Sequence, residues 1–390
     1  MKLGTGFSLS SRRVLMDSTG NQYWLPTEII FGDGELDHLA EHVPEFAKKI
    51  LVVSGSKALR SEGVLDRLQT MLGSEKVVFY EGVSSHPVPQ DIDNAVNVAV
   101  SNKCDVVIGI GGGSVMDVAK CVALLSTQPA PVKEFLRGDQ VIKIPGIPCI
   151  AVPSTAGTGS EVTKWATVWD PIEKRKYSLD HDFLYPKVAL VDPTLTYSMP
   201  DWVTATTGLD ALTQAIEAYW SKASQPTSDM YALASVSKII NNLKQAFDSG
   251  DPFARREVAA GSLMAGQAFS NTRTTICHSL SYPMTANWGI VHGQAVSITL
   301  PVFLEANAEV LAVKMDSLLD ALEVSRLGDG VSLIRNLMEE TGLKTRFNGL
   351  GIDEAGLSKV IEEGYYPERA DNNPVEYTPQ EIRLLLRQIL

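Results

Sequence analysis

Asp210 and Gln214 stand four residues apart in the stretch TGLDALTQAIEAY, inside an otherwise apolar, helix-prone run. Residues at that spacing share one helix face. Facing solvent, they make an ordinary helix start, with Asp210 near the positive end of the macrodipole. Facing inward, they offer two oxygen ligands to something charged. Downstream, CHSLSYPMTANWGIVHG carries His278 and His292, two of the six histidines in the chain. A lone histidine on a helix is usually solvated or satisfied in the core. With Asp210 and Gln214, the two would complete a four-ligand set with positions left open for water or substrate. Mixed nitrogen and oxygen ligation suits Fe(II) or Zn(II) better than a structural thiolate site. Nothing local to either stretch shows that the two regions meet.

A second kind of chemistry is written in glycines. DVVIGIGGGSVMDVAK (105–120) reads as strand, glycine turn and helix. Gly111, Gly112 and Gly113 would let backbone approach a phosphate, and Ser114 is placed to cap the helix that follows. Free N–H groups and the dipole at a helix start favour an anion. The spacing matches neither the G-x-G-x-x-G fingerprint nor a Walker A loop. The bland alternative is a tight, well-capped turn in which Asp117 completes a capping box. VPSTAGTGSEVT (152–163) is a second such turn, where Ser154, Thr155, Thr158 and Ser160 could donate to phosphate or ribose oxygens. Two such loops at successive strand ends, facing one crevice, read as a pyrophosphate site.

The elements that must position these residues fall into two textures. Up to about residue 195, short Val/Ile-rich runs (KKILVVSG, KVVFYEG, DVVIGI, PCIAVPS, KVALVDP) alternate with helical stretches, and WATVWD to KYSLDH reads as an added hairpin. Continuous apolar strands separated by helices predict a parallel sheet covered on both faces. From Pro200 onward the period is helical, with segments expected at 201–222, 226–247, 252–271, 274–287, 292–305, 308–325, 330–341, 353–363 and 378–389. The expected division is an α/β domain over 1–197 and an all-helical domain over 198–390, with ligands in the cleft between them.

At 390 residues two domains are the prior, and a net charge of -12 argues against nucleic acid or an anionic membrane as the main partner. No run is long and apolar enough to span a membrane, and the first residues lack the apolar stretch of a signal peptide. Cys104, Cys121, Cys149 and Cys277 form no CxxC pair and mostly lie in apolar runs, as buried thiols do in a reducing cytoplasm.

Taken together, GGGSVMDVAK, GTGSEVT, GLDALTQAIEAY and HSLSYPMTANWGIVHG resemble the iron-dependent (group III) alcohol dehydrogenase family, over nearly the whole chain. The resemblance implies a dehydroquinate-synthase-like architecture: an N-terminal parallel-sheet dinucleotide-binding domain, a C-terminal helical domain, and a divalent metal (Fe2+ or Zn2+) in the cleft. Asp210, His278 and His292 match the family's metal ligands, and Gln214 stands where a histidine is usual. Tyr282 replaces a histidine thought to relay protons. Lys176 matches a lysine associated with the cofactor. The implied activity is aldehyde reduction with NADPH or NADH, in a cytoplasmic enzyme that is a homodimer.

Two finer expectations follow. Ser56, Lys57 and Arg60 stand after the strand ILVVSG, where an acid would favour NAD; small and basic residues there accommodate the 2′-phosphate of NADP. The alternative is that both cations are solvated surface charges. ATVWDPIEKRKYSLDHDFLYP and SNTRTTICHSLSYP resemble the phosphonoacetaldehyde reductase branch, which makes Arg273 the expected ligand of a substrate phosphonate, with Lys164 and Lys176 adding charge. The alternative for Arg273 is a salt bridge to a neighbouring acid. Rival functions are a short-chain alcohol dehydrogenase for uncharged substrates, a metal-dependent cyclase of the dehydroquinate-synthase type, and a binding protein that has lost its metal.

Overall fold

The computed structural model describes residues 22–55, 57–173 and 175–390. Eight strands are present among them: β1 (Glu28–Phe31), β2 (Ile50–Gly55), β3 (Val77–Val83), β4 (Val106–Gly111), β5 (Cys149–Pro153), β6 (Trp165–Asp170), β7 (Arg175–Asp180) and β8 (Val188–Val191). Six form one parallel sheet in the order β1-β8-β5-β4-β2-β3, while β6 and β7 pair as the expected antiparallel hairpin.

The near-continuous Val/Ile runs have the cause given for them: both faces of the sheet are covered. Successive side chains point to opposite faces. Thus Leu51, Val53 and Val107 pack in one cluster with the helix Gly113–Leu125, while Ile50, Val52, Val106, Ile108 and Ile110 pack in another with the helix Val64–Leu72. β1, the outer strand beside β8, was not anticipated. Its four residues, EIIF, open on an exposed glutamate and are only partly buried, whereas the equally short β8, VALV, is apolar and buried throughout.

The chain leaves the sheet after Val191 and enters the helix Asp201–Trp220. That helix is buried on almost every side from Thr204 onward, so it is the axle around which Pro226–Ser249, Pro252–Thr272, Ile276–Trp288 and later helices assemble. The segment expected as one helix over 292–305 is two, His292–Ser297 and Leu300–Leu311. Pro301 sits in the first turn of the second, where its missing N–H costs nothing; in a continuous helix it would remove a bond and clash with the preceding turn. A short helix, Pro367–Ala370, lies in a stretch for which no element was expected.

Candidate active site

Asp210 and Gln214 face inward. Their residues are 3% and 4% exposed, and Asp210 Oδ1 and Gln214 Oε1 are buried oxygens without a hydrogen-bond partner. Buried polar oxygens left unpaired are costly, so two of them on residues lining one cavity mark a place for a cation. The two histidines arrive there from other helices. His278 Nε2 lies 3.4 Å and His292 Nε2 3.9 Å from Asp210 Oδ1, and the two imidazole rings are 5.4 Å apart. Ligand atoms of Asp210, His278 and His292 all fall within 4.8 Å of one another. Burial, with Lys176, His278 and Arg369 nearby, pushes His292 down to about 3, so its imidazole is neutral at ordinary pH, as a ligand must be. The residues present therefore fit a divalent ion, with Gln214 offering a carbonyl oxygen in place of a fourth charged or nitrogen donor.

Close helix packing brings His292 in. A Cβ on Gly293 would lie 1.8 Å from the carbonyl oxygen of Thr206, so the helix His292–Ser297 rests backbone to backbone on Asp201–Trp220. Only glycine permits that approach. His278 is oriented by a residue absent from the expected set, Glu217. This fully buried carboxylate receives His278 Nδ1–H and lies two helical turns beyond Asp210 on the same helix.

The cavity in front of these ligands is small, about 190 Å3, and the glycine loops line its other end. Gly112 is the N-cap of the helix Gly113–Leu125, and Ser114, within its first turn, donates to the carbonyl of Ser85. The capping role expected of Ser114 is thus corrected: extended backbone at Gly112 begins the helix, and the serine ties down the loop after β3. A Cβ on Gly113 would lie 2.5 Å from Thr158 Oγ1, so the two loops touch. Asp117 does not complete a capping box. It accepts from Ser160 Oγ at 2.6 Å and from the Thr167 N–H at 2.8 Å, and it lies 3.2 Å from the ammonium of fully buried Lys120. Ser160 spends its hydroxyl proton on this strut rather than keeping it for a ligand. Gly111, Ser154 and Thr155 lie at the ends of β4 and β5, where the backbone of Ser154 donates to Gly111. Ser85, His86 and Trp169, which also line the cavity, carried no signal in the sequence.

Lys176 and Tyr282 line the same cavity, with the ammonium 4.0 Å from the ring centre. Burial, and next the charge of Arg369, lowers Lys176 to about 7. Burial raises Tyr282 to about 12, so its phenol keeps its proton through neutral pH. It can donate a hydrogen bond but is a poor relay.

The cation expected to face the substrate is elsewhere. Arg273 ends the helix Pro252–Thr272 with φ of 61° and pairs with Asp180 of β7. That turn aims its side chain into a different cavity, shared with Lys164, Asp182 and Tyr185. Lys164 is 2.9 Å from Asp182. The salt-bridge alternative for Arg273 is therefore the one realised. Arg369, from the short helix Pro367–Ala370, enters the metal cavity instead and donates to Thr274 Oγ1 at 2.5 Å. Among the described residues no carboxylate pairs with it. Ser56 lies outside the described residues. Lys57 is exposed, and Arg60 bonds Glu81 at 2.6 Å, pairs with Asp66 and lies over the Phe79 ring. Neither lines the cavity, and the charge of Arg60 is already matched.

Comparison with known proteins agrees with this geometry. Residues 26–193 match the family described as iron-containing alcohol dehydrogenase, and residues 204–390 match the C-terminal part of the Fe-containing alcohol dehydrogenase family. Long-chain-alcohol dehydrogenase 1 of Geobacillus thermodenitrificans (strain NG80-2) is 34% identical over 351 residues, 87% of this chain and 88% of its own length. The 1,3-propanediol dehydrogenase of Citrobacter freundii is 29% identical over 384 residues, 94% and 98% of the two chains. The solved structure of a sulfoacetaldehyde reductase from Bifidobacterium kashiwanohense, in complex with NAD+, superposes with a TM-score of 0.90 at 29% identity, covering 94% of this chain and 98% of that one. The chain belongs to the iron-containing alcohol dehydrogenase family. It is a metal-dependent oxidoreductase of the alcohol dehydrogenase type with the dehydroquinate-synthase-like fold.

Proposed function

We propose that this enzyme reduces a small aldehyde bearing an anionic group to the primary alcohol, with phosphonoacetaldehyde as the favoured substrate and 2-hydroxyethylphosphonate as product. One observation carries the reading: Arg369 lines the metal cavity and, among the described residues, has no carboxylate partner. An arginine fork matches the oxygens of a tetrahedral anion, and with an uncharged substrate this cation would have no paired carboxylate among the described residues. The sulfoacetaldehyde reductase similar to this chain also acts, by its name, on a two-carbon aldehyde with an anionic head.

When bound, a divalent ion held by Asp210, Gln214, His278 and His292 supplies Lewis-acid polarisation of the carbonyl, and a reduced nicotinamide supplies hydride. Arg369 and Lys176 hold the anionic end, which fixes the distance of the aldehyde carbon from the ligand cluster. Trp165 and Phe269, with rings 5.8 Å apart, wall the cavity against water. Burial, and next the charge of Arg369, brings Lys176 down to about 7, so it holds the anion while charged, on the acid side of that value. The glycine loops and the Asp117–Ser160 strut shape the crevice for the dinucleotide pyrophosphate. With Arg60 already paired, Lys57 alone is left to favour a 2′-phosphate, so NADH is expected to serve about as well as NADPH. Four buried free thiols fit a reducing compartment such as the cytoplasm. A homodimer remains part of the proposal.

The test is a panel of two-carbon and three-carbon aldehydes, phosphonate, sulfonate and uncharged, each with NADH and NADPH. A kcat/KM highest for an anionic member supports the reading. Highest activity on uncharged members would favour a short-chain alcohol dehydrogenase instead.

A further inference from the structure

We propose that Glu217 is the positioning residue that makes His278 a metal ligand, by fixing both the proton on its ring and the start of its helix. The carboxylate is wholly buried and, among the described residues, its hydrogen bonds all run to the segment that carries His278. Its Oε1 accepts from Thr275 Oγ1 at 2.8 Å and from the Cys277 N–H at 2.6 Å, with the His278 N–H at 3.4 Å. Its Oε2 accepts from His278 Nδ1. Fully buried Trp220, three residues further along the same helix, donates to Thr275 Oγ1 at 2.7 Å. The set forms a closed relay in which Trp220 donates to Thr275, and Thr275 and His278 both donate to Glu217.

Two consequences follow. A carboxylate can only accept, so Nδ1 must carry hydrogen and Nε2, the nitrogen 3.4 Å from Asp210 Oδ1, is the one available to a cation. Outer partners of this kind fix the orientation of a ligating imidazole and raise its basicity. Second, Glu217 takes free N–H groups from the first turn of Ile276–Trp288, a helix whose N-cap residue Thr275 makes no side-chain cap bond. Asp210 and Glu217 leave one helix seven residues apart, two turns, and so grip His278 from either side of its ring. Burying an unneeded carboxylate is unfavourable against an apolar residue of similar size. Its presence is accounted for by the ligand that it sets. The inference rests on the metal site alone and is independent of the substrate.

The test is Glu217→Gln, which keeps shape but turns an N–H toward Nδ1 and so drives the ring proton onto Nε2. Zn2+ affinity is read by competition with a chromophoric chelator, and the melting temperature is read on metal-free protein. The expected result is a loss of affinity of about 10- to 100-fold, with the metal-free melting temperature within a few degrees of the parent. A variant that binds Zn2+ as tightly as the parent overturns the proposal, whatever its melting temperature. Should this variant not fold, Thr275→Val keeps the carboxylate and removes one of its donors. A fall in Zn2+ affinity of several-fold then supports the relay, and unchanged affinity contradicts it.

Discussion

Gln214 is the residue at which this chain departs from a histidine-rich ligand set, and its Oε1, like Asp210 Oδ1, is a buried oxygen without a hydrogen-bond partner on a residue that lines the same cavity. A neutral amide oxygen binds a divalent ion less strongly than imidazole, so the site is expected to hold metal more loosely than a three-histidine relative. Gln214→His should tighten Zn2+ binding and His292→Ala should weaken it by at least tenfold, both read by chelator competition; the opposite order would remove Gln214 from the ligand set. Lys176 sets the pH response. Its value near 7 means it is charged below that pH and neutral above, with Asp117 and Asp210 drawing it up and burial and Arg369 pressing it down. Its pull on an anionic substrate is therefore present on the acid side and lost as pH rises through about 7. The ratio of kcat/KM for an anionic over an uncharged aldehyde should fall across that window, and Lys176→Met should flatten it. A ratio independent of pH in the parent enzyme would mean that Lys176 does not face the anion.

At the scale of elements, the site depends on three helices meeting without a gap. Gly293→Ala places a methyl group against the carbonyl of Thr206, so the helix His292–Ser297 must shift outward. The expected cost is about 1–3 kcal/mol of stability, together with lower Zn2+ affinity; a variant with parental melting temperature and affinity would show that the contact relaxes freely. Helices were legible because periodicity accumulates and the sheet's strands because their runs are largely apolar: β2 to β8, the hairpin and the Asp201–Trp220 helix stand where the pattern put them. The shared inward face of Asp210 and Gln214 was legible from helical periodicity too, since i,i+4 spacing puts both side chains on one side of the helix. What could not be read was which long-range contacts form. Arg369 sits on a four-residue helix with no periodicity to betray it, while Arg273 lay near a histidine in sequence and was aimed away by a positive φ. Glu217 was hidden in plain view, because a buried carboxylate and a solvated one have the same letter.

Across the whole molecule, a chain with net charge -12 keeps a basic opening to its active site. A cavity of about 460 Å3 adjoins the metal cavity through Lys176, Tyr282 and Arg369, and Arg137 and Arg175 line its outer part. Arg137 is paired with Glu173, whereas Arg175 lies over the Tyr177 ring and, among the described residues, has no acid partner. A local positive field inside an acidic surface attracts anions at a distance set by ionic strength. Raising salt from low to physiological levels should lower kcat/KM for an anionic aldehyde by roughly threefold or more, leave an uncharged one unaffected, and lose its influence in Arg175→Gln. Equal salt dependence for both substrates would assign the effect to the protein rather than to the encounter. Whether the cavity is built for an anion held by Arg369 is decided by kcat/KM of Arg369→Ala on phosphonoacetaldehyde and on an uncharged aldehyde of the same length. Truncating one partner of a desolvated charge pair costs roughly 2–5 kcal/mol, so activity on the phosphonate should fall at least about thirtyfold while the uncharged aldehyde is turned over nearly as before. An equal loss on both substrates would contradict the account and leave Arg369 as a support of the metal site alone.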